Sequence, residues 1–158
     1  MSDEEAQEIR ERIKGWFPKL ADNWKLTSSF DPRYNCLAFA VGDTQRWWEY
    51  GATDELGVRT HWPNGLTESE KLSDWIAALK TLRFELADDG SVEPGYEKLA
   101  LYRKKETATH AARQLSTGRW TSKLGRFEDI EHDTPDELTG NSLEAYGAIA
   151  QFMKRRLP

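Results

Sequence analysis

The chain has 158 residues, 38% of them apolar and 31% charged, a composition that belongs to folded globular proteins and excludes a disordered one. A net charge of −5 gives no overall attraction for nucleic acid, and no apolar run reaches the length of a membrane span. The single cysteine, Cys36, excludes an internal disulfide framework.

The length suits one domain, residues 1–158, with enough chain to bury a real core. Residues 1–15 are charged and lack the apolar stretch of a secretory signal. The cytoplasm is therefore the expected compartment, with export by a machine that reads no cleavable signal as the other route.

Residues 3–14 are rich in Glu, Arg and Ala and acidic at the start, which predicts an exposed helix. Trp16, Phe17, Pro18 and Leu20 follow as an apolar anchor, and 21–34 read as a loop. Asn35 is a good helix cap for the nearly all-apolar Cys36–Val41, a buried helix or, on the competing reading of a short apolar run, a strand. Gln45, Arg46, Trp47 and Trp48 are expected to return the chain to the surface before a loop over 51–66.

Thr67, Glu68, Ser69 and Glu70 have capping-box spacing. Leu72, Trp75, Ile76, Leu79 and Leu82 then recur at helical intervals. Phe84 and Leu86 alternate with polar residues, Asp88–Gly90 form a turn, and 98–102 read as a strand. Residues 107–115 and 119–124 flank Ser116-Thr117-Gly118, a three-residue hairpin loop. Leu143, Tyr146, Ile149, Met153 and Leu157 recur every three or four residues, which predicts a C-terminal helix closed by the basic Lys154–Arg156. Helices, then an antiparallel meander, then a helix define an α+β class.

A thiol at a helix start is a chemically specific placement, because the thiolate is the nucleophile and the helix N-terminus favours negative charge. A buried free cysteine reads equally as a small apolar core residue. The nucleophile would need a base, and the histidines are His61, His110 and His132. His61 lies in a loop, and His132 in the acidic stretch 128–133 is expected to be solvated. His110 lies early in a strand, where a sheet packed on the Cys36 helix could present it. With Ser116–Gly118 as the loop, Leu115 faces Arg119, and 110, 112 and 114 share a face with 124, 122 and 120. Ser122 is then the polar neighbour of His110; a slip of one residue would select Thr121 and Lys123.

The segment Tyr34-Asn35-Cys36 with Ala40, followed by a sheet carrying His110, resembles the nucleophile region of the papain-like superfamily, in its bacterial cell-wall amidase and peptidase branch. The resemblance covers roughly 30–125 and implies a papain-like arrangement. It implies Cys36 as nucleophile, His110 as base and acid, and Ser122 as the residue orienting the ring, with Tyr34, Asn35 and Trp120 lining the substrate. The glutamine that usually precedes the nucleophile is absent, so the Cys36 backbone N–H, with Tyr34, would serve the oxyanion. The segments Tyr34–Ala40 and Thr109–Gly125 also resemble a bacterial family of unknown function.

Two functions follow as expectations. One is a cysteine hydrolase acting on an amide or acyl bond of a small-molecule or peptide substrate. The other is a non-catalytic binding or interaction protein on the same scaffold, with Trp47, Trp48, Trp62 and Trp120 lining a recognition groove. No cofactor is expected. Neither paired metal-ligand spacing nor a glycine-rich nucleotide motif occurs, and no nucleic-acid or membrane partner is expected.

Overall fold

The computed structural model describes residues 2–49, 60–67 and 69–158. Helix α1 spans Asp3–Trp16 and opens on a capping box, in which the Ser2 hydroxyl accepts the Glu5 N–H and the Glu5 carboxylate accepts the Ser2 N–H, both at 3.1 Å. Strand β1 (Lys25–Leu26) precedes the short helix α2 (Cys36–Ala40), which forms as expected behind Asn35. Strands β2 (Trp47–Trp48) and β3 (Thr60–His61) make a separate parallel pair, so Trp47 and Trp48 are buried instead of returning to the surface. Most of the expected 51–66 loop, and Glu68 of the expected capping box, lie outside the described residues.

Helix α3 (Leu72–Lys80) begins later than the capping-box spacing implied. Its first residue follows Lys71, which makes no side-chain cap. Ser69 supplies a substitute: its hydroxyl donates to the Asp74 carboxylate and accepts the Lys71 N–H at 3.0 Å. The remaining strands are β4 (Glu85–Ala87), β5 (Tyr96–Lys104), β6 (Thr107–Gln114), β7 (Trp120–Lys123), β8 (Asp129–His132) and β9 (Ala148–Arg156). With β1 they form one antiparallel sheet in the order β1-β8-β7-β6-β5-β9-β4.

The fold is therefore α+β, but it corrects the expected C-terminal helix. Residues 148–156 form a strand, held between β5 and β4. Ala148, Gln151, Met153 and Lys154 are all good helix formers, yet pairing on both sides satisfies the backbone and outweighs that weak preference. Close approach at its entry requires glycine: Gly147 has φ +83°, and a Cβ there would sit 2.1 Å from the Arg103 carbonyl oxygen.

Side-chain alternation gives the sheet two cores. Leu99, Leu101, Ala108, Ala111 and Met153 face α2 and α3. Ala100, Tyr102, Ala112, Trp120 and Ile130 face the α1 side, with Ile13, Phe17 and Leu20. A bulge sets the phase of β6: Tyr102 pairs with His110 and Arg103 with Ala108, leaving Thr109 as the extra residue. Among the described residues no helix is long and apolar enough to cross a membrane.

Candidate functional site

The α2 face is organised by one side chain. Asn35 Oδ1 accepts the N–H of Ala38 at 3.1 Å, capping α2, and that of Trp48 at 3.2 Å; its Nδ2 donates to the Trp48 carbonyl at 2.8 Å. The cap thus also pins β2 beside Cys36. Three indoles are anchored in turn. Trp47 Nε1 donates to Glu49 and Trp48 Nε1 to Asp43, each at 2.8 Å, and Trp62 Nε1 donates to the Thr67 carbonyl at 3.2 Å. Together with Trp75 of α3 and Cys36 they line a cavity of about 360 Å³, which Glu49, Ser69, Glu70 and Thr109 also border.

Cys36 is buried, and burial pushes its thiol up to about 11; hydrogen bonding with the backbone of Ala111 and Leu37 opposes this only in part. Sγ is therefore a protonated thiol at neutral pH. Tyr34 is buried on the same face and donates from its hydroxyl to Asp129 Oδ2 at 2.8 Å. Burial, then Asp129, raises its ionisation well above the ordinary phenol range. The Lys123 ammonium lies 4.9 Å from the Tyr34 ring, itself buried and held below the usual lysine range by that burial. Tyr34 and Asn35 are thus committed to structural bonds, although Asn35 also borders the cavity.

His110 lies on the other face. Its ring stacks on Tyr146 with centroids 4.1 Å apart and meets Tyr102 edge-on at 5.2 Å, both part of the α1-side core, whereas Cys36 and Ala111, the next residue of β6, belong to the α2-side core. The hairpin forms with the expected register, Leu115 N–H donating to Arg119 O at 2.7 Å and Gly118 adopting φ +89°. That register brings His110 Nε2 to 2.9 Å from Ser122 Oγ. Ser122 Oγ continues to His132 Nε2 at 2.8 Å, and His132 Nδ1 lies 2.9 Å from the Thr134 carbonyl oxygen.

The proton positions in this chain follow from its last acceptor. A carbonyl oxygen only accepts, so His132 Nδ1 carries the hydrogen. Burial, first for both rings, keeps them neutral, with ionisation below the ordinary histidine value and well below it for His110. Neutral His132 Nε2 must then accept from the Ser122 hydroxyl, which accepts from His110 Nε2–H. His110 Nδ1 is left as a bare buried acceptor without a partner.

The sheet thus brings His110 and Ser122 together but places Cys36 across the backbone from both. Trp120 lies on the histidine face, 6.2 Å from Phe152, away from the cavity. His132, expected to be solvated, is fully buried, because Ile130 and His132 of β8 point inward while Glu131 carries the charge on the opposite side. The alternation Asp129-Ile130-Glu131-His132 carried that signal. Trp75 gave no separate signal, since a tryptophan at helical spacing reads as core. Among the described residues no group of three or more His, Cys, Asp or Glu side chains is placed to hold a metal ion.

Fold and site together define an α+β protein with a mostly antiparallel sheet, a tryptophan-lined pocket on one face and a buried histidine–serine–histidine chain on the other. The chain belongs to the family described as a domain of unknown function, DUF7689, whose model matches residues 25–154 and so takes in both features. No curated protein and no solved structure matches the chain.

Proposed function

We propose that this chain is a binding protein whose tryptophan pocket holds a small organic group, without turnover at Cys36. The observation that carries this reading is the anchoring of the pocket: indoles held by Glu49, Asp43 and the Thr67 carbonyl surround a cavity of about 360 Å³. That volume lies within the range of small-ligand sites, roughly 300–1,000 Å³. Fixed aromatic walls favour binding because little side-chain freedom is lost when the ligand arrives.

The cysteine-hydrolase reading has less support. A general base must come within hydrogen-bond reach of its nucleophile. His110 is spent on Ser122 across the sheet, and burial disfavours the Cys36 thiolate. The papain-like resemblance depends on that same pair.

Fragment binding followed by the indole N–H resonances tests the proposal. Ligands are expected to shift Trp47, Trp48, Trp62 and Trp75 while leaving Trp120 in place. A diverse fragment set that moves none of the four would sink the binding reading.

A further inference from the structure

Four indoles line this cavity, and an indole presents its negative face to whatever stacks on it. Among the described residues that line the cavity, the charged ones are both acidic. Glu49 and Glu70 are both exposed at the rim, and no lysine, arginine or histidine lines the cavity among the described residues. The Glu70 carboxylate makes no hydrogen bond or ion pair with any described residue, whereas one Glu49 oxygen accepts from Trp47. The protein already uses one of these rings for a cation, since the Arg126 guanidinium carbon lies 4.8 Å from the Trp47 ring centroid.

We propose that the pocket binds an alkylated ammonium group, the quaternary nitrogen of a small organic cation. This rests on the reading of the pocket as a ligand site. A primary ammonium would bring three N–H donors that each need an acceptor. The acceptors at the border are few, the Glu49 and Glu70 carboxylates and the Ser69 and Thr109 hydroxyl oxygens, and the larger part of the lining is indole surface that offers N–H groups no such partner. A quaternary ammonium has no N–H to satisfy, and it keeps its attraction for the aromatic faces and the two rim carboxylates. An anion would meet Glu49 and Glu70, and a neutral ligand would gain nothing from them.

Titration with choline and with its neutral carbon isostere, 3,3-dimethylbutan-1-ol, separates charge from shape. Choline is expected to bind at least about tenfold more tightly than the alcohol. Glu70→Gln is expected to weaken choline about threefold or more and leave the alcohol unchanged, with the fold verified by circular dichroism. Equal affinities for the two probes, or a Glu70→Gln protein that binds choline as before, overturn the cation inference. Neutral fragments that move the indole resonances while choline does not also overturn it, and leave the pocket reading standing. No response to either probe or to any fragment overturns both.

Discussion

The two faces of the sheet treat their polar groups in opposite ways. On the α1 side, His110, Ser122 and His132 are fully buried and pass hydrogen bonds from one to the next, ending on the Thr134 carbonyl. On the α2 side, the polar groups brace a space: Asn35, Glu49 and Asp43 hold the backbone and indoles around a cavity. One arrangement consumes its hydrogen-bonding capacity within the fold. The other leaves ring faces and a carboxylate for something else. The residues with the more catalytic appearance are thus the ones whose hydrogen bonds are spent within the fold.

The sharpest way to break this contrast is Ser122→Ala. It removes the bridge and strands two buried ring nitrogens, so a loss of about 3 kcal/mol in urea unfolding is expected, with ligand binding at the tryptophan pocket unchanged. A loss under about 1 kcal/mol would show that the histidine chain is not a structural brace. Alkylation of Cys36 follows. With its thiol near 11, native protein should react with iodoacetamide about a hundredfold more slowly at pH 8 than free cysteine, and faster as the pH climbs. Rapid labelling at pH 7 would restore the nucleophile reading.

Asn35→Ala should cost about 2 kcal/mol, the sum of a lost helix cap and lost bonds to Trp48. Unlike Ser122→Ala, it should also weaken binding in the pocket, because β2 is released. An effect on stability alone would uncouple the cap from the cavity. The same contrast can be sharpened through pH dependence. His110 and His132 have folded values below the ordinary histidine value, so the unfolded chain binds protons first. Their contribution is complete above the unfolded value of about 6.5 and is lost as the pH falls below it, by about 1.4 kcal/mol per unit for each ring. Urea midpoints between pH 7 and 5 measure the slope, and His132→Gln should reduce it. A flat profile would mean that the rings are not held neutral.

What could be read beforehand depended on how local the determinant was. The helix behind Asn35 and the hairpin around Ser116–Gly118 are set by a cap and a turn, and the hairpin register placed Ser122 beside His110. Which face of the sheet packs on Cys36 is decided by tertiary contacts, with Ala111 in the α2-side core and Ala112 in the other, and nothing local marks that choice. Strand β9 was illegible because the spacing of Tyr146, Ile149 and Met153 also fits a helix, and only its neighbours β5 and β4 decide between the two. The polar Gln45 and Arg46 ahead of Trp47 and Trp48 point this segment toward solvent, whereas the bonds of Trp48 to Asn35 and Asp43 draw it inward.

The position of β9 has a consequence for how the chain is made. A ribosome delivers β5 to β8 together, and this meander can assemble as it emerges. Strand β4 emerges before them but its one partner among the described strands is β9, so it must wait while about sixty further residues are synthesised. Until then β5 keeps one edge open and the core beneath α3 lacks Met153. That interval exposes an unpaired strand edge beside apolar surface, the kind of nascent state that chaperones shield and that aggregates when synthesis stalls.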